Sequence, residues 1–124
     1  GGLNSEINIE DGVLSVAACF NEDRSIQWLD VHPDSEERIT GKTIPHWDKF
    51  KSEFLKTIGE FPEFIYVGWD ILLTDKGFKI IEGNNHTGVQ IYQVHRPLLM
   101  DDRIKTFYLD QKVIKPYKRI FNLF

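Results

Sequence analysis

The stretch that most constrains this chain is residues 66–85, YVGWDILLTDKGFKIIEGNN. Residues 64–74 are rich in β-branched and aromatic side chains, and so are residues 78–81. Asp75-Lys76-Gly77 supplies a turn between them, with glycine where φ > 0 is needed. In a hairpin the loop length sets which side chains share a face. If these three residues form the loop, Thr74 faces Phe78, Leu72 faces Ile80 and Asp70 faces Glu82. Asn84 then follows two residues on, on the same face as Glu82. A two-residue Lys76-Gly77 loop is the alternative. It would put Asp70 and Glu82 on opposite faces, each simply solvated. We take the three-residue loop, because lysine fits a positive φ poorly.

Two carboxylates directly opposite on a sheet face repel one another, with Cβ atoms about 4.5–5.5 Å apart. Leu72 and Ile80 beside them predict a largely buried face. A buried like-charge pair must lose a charge by protonation or gain a cation. Asp70 and Glu82 with the amide oxygen of Asn84 suit Mg²⁺, which takes oxygen ligands and keeps room for waters and phosphate oxygens.

Elsewhere the pattern predicts an antiparallel hairpin over residues 3–9 and 13–20, and a short third strand over 25–31. Residues 32–37 are a loop by composition. Asp30, His32 and Asp34 alternate there, but no further His or Cys completes a transition-metal set, so an ordinary polar loop is preferred. A helix over 46–60 carries Trp47, Phe50, Phe54, Leu55 and Ile58 on one face, and Phe61-Pro62 ends it. After the central hairpin, Asn85, His86, Thr87 and Gly88 form a loop able to meet phosphates through backbone N–H groups. Arg96 is a further candidate phosphate partner, with a surface ion pair as the alternative. From Asp101 the pattern is helical. Ile104, Phe107, Tyr108, Ile114, Tyr117, Phe121 and Phe124 line one stripe, and a kink is expected near Ile114 ahead of Pro116. This stripe is expected to dock within the chain, with a homodimer through leftover apolar surface as the alternative. The fold class is therefore α+β, an antiparallel sheet with packed helices.

The chain has 124 residues, enough for a single domain, 1–124, with a real core. Its 41% hydrophobic and 27% charged residues are an ordinary globular mix. No apolar run is long enough to span a membrane, and no stretch reads as a signal peptide. The single Cys19 cannot form an internal disulfide, which fits a reducing, cytoplasmic setting, and it is read as structural. A net charge of −4 argues against a general nucleic-acid binder. Residues 101–124 carry six basic against three acidic side chains, so the acidic excess lies in residues 1–100. An acidic body suits a cation-binding cleft, and a solvated surface explains it equally well.

A strand Asp, a turn, then Glu-x-Asn on the next strand resembles the metal-binding hairpin of the ATP-grasp enzymes. Within them the chain is most similar to the sugar-transfer-associated ATP-grasp proteins. The likeness runs through Pro45 and Trp47, Phe61-Pro62, Val67-Gly68-Trp69-Asp70, Thr74-Asp75-Lys76-Gly77 and Ile81-Glu82-Gly83-Asn84. It covers about residues 1–100 and is strongest over 44–93. His86-Thr87-Gly88 departs from it, since many relatives carry Pro-Gly after the Asn.

The resemblance implies the C-terminal, metal-ligand half of an ATP-grasp fold, either part of a longer protein or a truncated copy. Asp70, Glu82 and Asn84 would hold one or two Mg²⁺ against the β- and γ-phosphates of ATP. In the intact enzyme a carboxylate acceptor would become an acyl phosphate that a nucleophile then attacks. The family's name points toward polysaccharide or cell-surface sugar pathways. The phosphate-covering half, with its Lys and flexible loop, is not in this sequence, so catalysis by this chain alone is not expected. The alternatives are a non-catalytic binding or interaction module with an ATP-grasp-like fold, and a plain α+β scaffold with solvated acidic residues.

Overall fold

The hairpin expected at the start of the chain forms. β1 (Leu3–Ile7) and β2 (Leu14–Phe20) pair antiparallel, with Leu3 opposite Cys19 and Ile7 opposite Leu14. β3 (Ile26–Leu29) pairs with the other edge of β2, so β2 is the central strand of three. The computed structural model describes residues 2–116. Among these, only Ala17 and Ala18 of β2 are fully buried apolar side chains. Among the described residues the fully buried core is therefore confined to the middle of this sheet.

The turn from β1 to β2 receives α1 (Trp47–Ile58). Gly12 has φ of 74°, and a Cβ there would lie 2.4 Å from Trp47 Cγ. Only glycine offers both the backbone conformation and the space for the indole. Trp47 Nε1 donates to the Ile9 carbonyl at 3.0 Å, and Lys51 Nζ donates to the same oxygen at 2.9 Å. Further along α1, Phe50 stacks on Phe54 at 5.8 Å, and both rings meet the ring of Phe78 nearly edge-on, at 5.5 and 5.8 Å. Leu55 is not on this face and is 57% exposed. At 100° per residue it falls about 100° around the helix from the centre of the line through Phe50, Phe54 and Ile58.

Phe78 belongs to the second sheet, the hairpin of β4 (Gly68–Thr74) and β5 (Gly77–Asn84). One helix thus docks on a turn of the first sheet and on a strand of the second.

The described residues fall into two compact units, the second beginning at Gln90. The second unit contains single 3-10 turns at Tyr92–Val94 and Leu98–Met100, then α2 (Asp102–Asp110). Asp101 caps α2, accepting from the Arg103 N–H at 2.9 Å and from the Arg103 guanidinium at 2.8 Å. These bonds, the guanidinium's first, hold the Asp101 carboxyl well below the usual carboxylate range. The helix stops earlier than its apolar stripe predicts. Lys112 takes φ of 57°, with Lys112 N bonded to the Leu109 carbonyl and Val113 N to the Tyr108 carbonyl. That is the Schellman pattern of a helix end. Ile114 therefore lies beyond the helix, and the part of the stripe at Tyr117, Phe121 and Phe124 lies outside the described residues. No helix among the described residues is long and apolar enough to cross a membrane.

Candidate functional site

The β4–β5 hairpin turns on two residues, Asp75 and Lys76, with Thr74 opposite Gly77. This corrects the three-residue loop. Gly77 opens the returning strand at φ of 133°, and neither Asp75 nor Lys76 needs a positive φ. The Thr74 hydroxyl braces the turn, donating to the Gly77 carbonyl at 3.1 Å and accepting from Lys76 N at 3.3 Å. From there Leu73 faces Phe78, Leu72 faces Lys79, and Ile71 faces Ile80.

The register then shifts. Asp70 faces Glu82, Trp69 faces Gly83 and Gly68 faces Asn84, leaving Ile81 as an extra residue on β5. The residue removed from the turn reappears as a bulge. The carboxylates come opposite one another as expected, but by a different route. Their neighbours differ too. Alternation places Leu72 and Lys79 beside them, while Ile80 joins Ile71 on the other face.

The face is also not buried. Asp70, Glu82 and Asn84 are exposed, and Leu72 is 51% exposed. Water therefore screens the repulsion between the carboxylates. Among the described residues neither carboxylate has an ion pair or a side-chain hydrogen bond.

Two glycines shape the site. On the side opposite the carboxylates, a Cβ on Gly83 would lie 2.8 Å from the Trp69 ring and 3.3 Å from Val67. The Trp69 ring thus occupies the space beside Gly83, and Phe64 meets it edge-on at 6.4 Å. On the carboxylate side, a Cβ on Gly68 would lie 2.2 Å from Thr87 Oγ1 and 2.5 Å from Thr87 Cβ. Gly68 shares its face with Asp70 and Asn84, so the Thr87 hydroxyl stands on that face as well.

The structure thus gathers Asp70, Glu82, Asn84 and Thr87. Asn85 Oδ1 and His86 Nδ1 lie 2.8 Å apart and bond to each other. Gly88 continues the loop as an exposed residue. Arg96 belongs to the second unit, between its two 3-10 turns. Lys79 stands on the carboxylate face and is absent from the sequence-derived set. The two-residue turn is the signal that would have found it.

In the Asp30-His32-Asp34 alternation the polar groups bond to neighbouring loop residues. His32 Nδ1 accepts from the Asp34 and Ser35 N–H groups, and Asp30 accepts the Thr40 hydroxyl at 2.6 Å. Among the described residues no three His, Cys, Asp or Glu side chains cluster as metal ligands. At the hairpin the donors are two carboxylates, an amide and a hydroxyl. An all-oxygen set with uncommitted carboxylates fits a hard divalent cation rather than a transition metal.

The family model described as sugar-transfer associated ATP-grasp matches residues 1–107. The whole hairpin and its following loop fall within that match. No curated protein and no solved structure matches the chain.

Proposed function

The chain belongs to the sugar-transfer associated ATP-grasp family, and on that footing we propose that the open face of β4–β5 binds magnesium and the phosphates of ATP for a ligase-type reaction. The observation that carries this reading is the bulged register, with Asp70 opposite Glu82 and Asn84 two pairs further on, on the same face. When bound, the ion supplies the positive charge that balances the nucleotide's phosphates. Asp70 and Glu82 would hold it from opposite strands, and Asn84 and Thr87 would add neutral oxygens. The Trp69 indole packed on Gly83 keeps the Glu-Gly-Asn backbone from shifting away from Asp70.

The hairpin's contribution is positioning and charge rather than proton transfer. In the reaction class the family implies, an acceptor carboxylate is activated as an acyl phosphate and then taken by a nucleophile. The exposure of the carboxylate face suits a site that a further subdomain covers. The family description supports an acceptor in sugar-transfer pathways.

Thermal melting with Mg²⁺, ATP, both or neither tests the reading. The melting temperature should rise most with both together, and Asp70→Asn should remove that gain. A wild-type chain indifferent to all three conditions overturns the proposal.

A further inference from the structure

Lys79 sits two residue pairs from Asp70 and Glu82 toward the turn, in the next pair on their face. Diagonal neighbours across two strands have Cβ atoms no more than about 7–8 Å apart, and the flexible four-carbon stem lets an ammonium sweep across that distance. Lys79 is exposed, and among the described residues it has no ion pair and no hydrogen bond. The face therefore carries two negative charges and one positive charge, all uncommitted. The two-residue turn puts Lys79 there; a three-residue turn would have put Ile80 in its place.

A resident cation changes which ligand the face prefers. A bare divalent ion is drawn to the carboxylates and repelled by the ammonium. At about 7 Å, in a water-like medium with ordinary salt, that repulsion weakens binding by roughly two- to sevenfold. A cation that arrives on a polyphosphate brings excess negative charge, which the ammonium attracts. We infer that Lys79 makes this face selective for a divalent cation carried by a polyphosphate over the same cation alone.

The inference rests on the reading of the face as a cation site, and the test separates the two. The full chain is titrated with Mn²⁺ alone and with Mn²⁺–ATP, as wild type, Lys79→Met, Lys79→Arg and Lys76→Met. Lys79→Met should bind Mn²⁺ alone about two- to sevenfold tighter and Mn²⁺–ATP weaker. Lys79→Arg keeps the charge and should follow wild type. Lys76→Met, in the turn, should shift both affinities less. If both affinities move the same way in Lys79→Met, or neither moves, the Lys79 inference is overturned while the cation site stands. An equal effect from Lys76→Met means net charge, not the place of Lys79, sets the preference, and also overturns it. If no variant binds Mn²⁺ in either form, the cation site itself is overturned and the inference falls with it.

Discussion

The hydroxyl of Thr87 occupies the space that a side chain on Gly68 would fill, with Oγ1 only 2.2 Å from where the Cβ would be. This contact ties the loop after β5 to the start of β4, on the face that carries Asp70 and Asn84. Gly68→Ala must push Thr87 and its backbone outward, because the nearest atoms include Thr87 Cβ and not merely a flexible chain end. The expected cost is about 1–3 kcal/mol, the usual range for overpacking. In a Thr87→Gly background the same substitution should cost clearly less. Equal costs in both backgrounds, by denaturant titration, would show that the contact does not hold the loop.

Glu82→Gln removes one of two facing carboxylates. In the absence of metal it should keep or raise stability, by at most about 1 kcal/mol, since solvent already screens the pair. It should also remove any Mg²⁺-dependent gain in melting temperature. An identical Mg²⁺ response in mutant and wild type would exclude Glu82 as a ligand.

Gly77 is surrounded by open space, so a side chain there meets no steric obstacle. Its φ of 133° is the obstacle. Gly77→Val should cost on the order of 1–3 kcal/mol through backbone strain alone. A change under about 0.5 kcal/mol would place the turn elsewhere.

Gly12 combines both constraints, a φ of 74° and a Trp47 ring in the place of a side chain. Gly12→Ala should lose more than about 2 kcal/mol, adding overpacking to left-handed strain. It should also alter the near-ultraviolet circular dichroism of Trp47. Retention of the wild-type tryptophan signal and stability would show that α1 docks without this contact.

Asp101 should make α2 sensitive to acid. Its folded carboxyl titrates below the ordinary value of 3.8, so its contribution to stability is present above that value. The contribution declines as pH falls below about 4 and is gone once the folded carboxyl is protonated. Asp101→Asn keeps a capping oxygen but cannot titrate. Its helical signal should therefore fall less on acidification than that of wild type. Superimposable acid titrations of the two proteins would rule out this role.

The elements themselves were legible in the sequence because their causes are local. The Glu10-Asp11-Gly12 turn between two strand-forming runs marks β1 and β2, helical spacing marks Trp47, Phe50 and Phe54, and α1 ends at Ile58, ahead of Phe61-Pro62. The oxygen donors Asp70, Glu82 and Asn84 could be named from the same local pattern.

The route by which Glu82 reaches Asp70 was decided only by tertiary packing. Near the turn, α1 holds Phe78 and hence Ile80 on the helix-facing side. At the other end, the Trp69 ring needs Gly83 on that same side. Residues 78 and 80 are in phase with each other but out of phase with 83, and a strand alternates strictly by two. One extra residue reconciles the two demands, and Ile81 is that residue. Nothing in an isoleucine announces a bulge. The same packing put Lys79 beside the carboxylates and left their face in water, where the sequence alone had predicted Ile80 and a buried pair. Residue identity determined which groups are available to the site; the phase conflict between two distant contacts decided which of them meet.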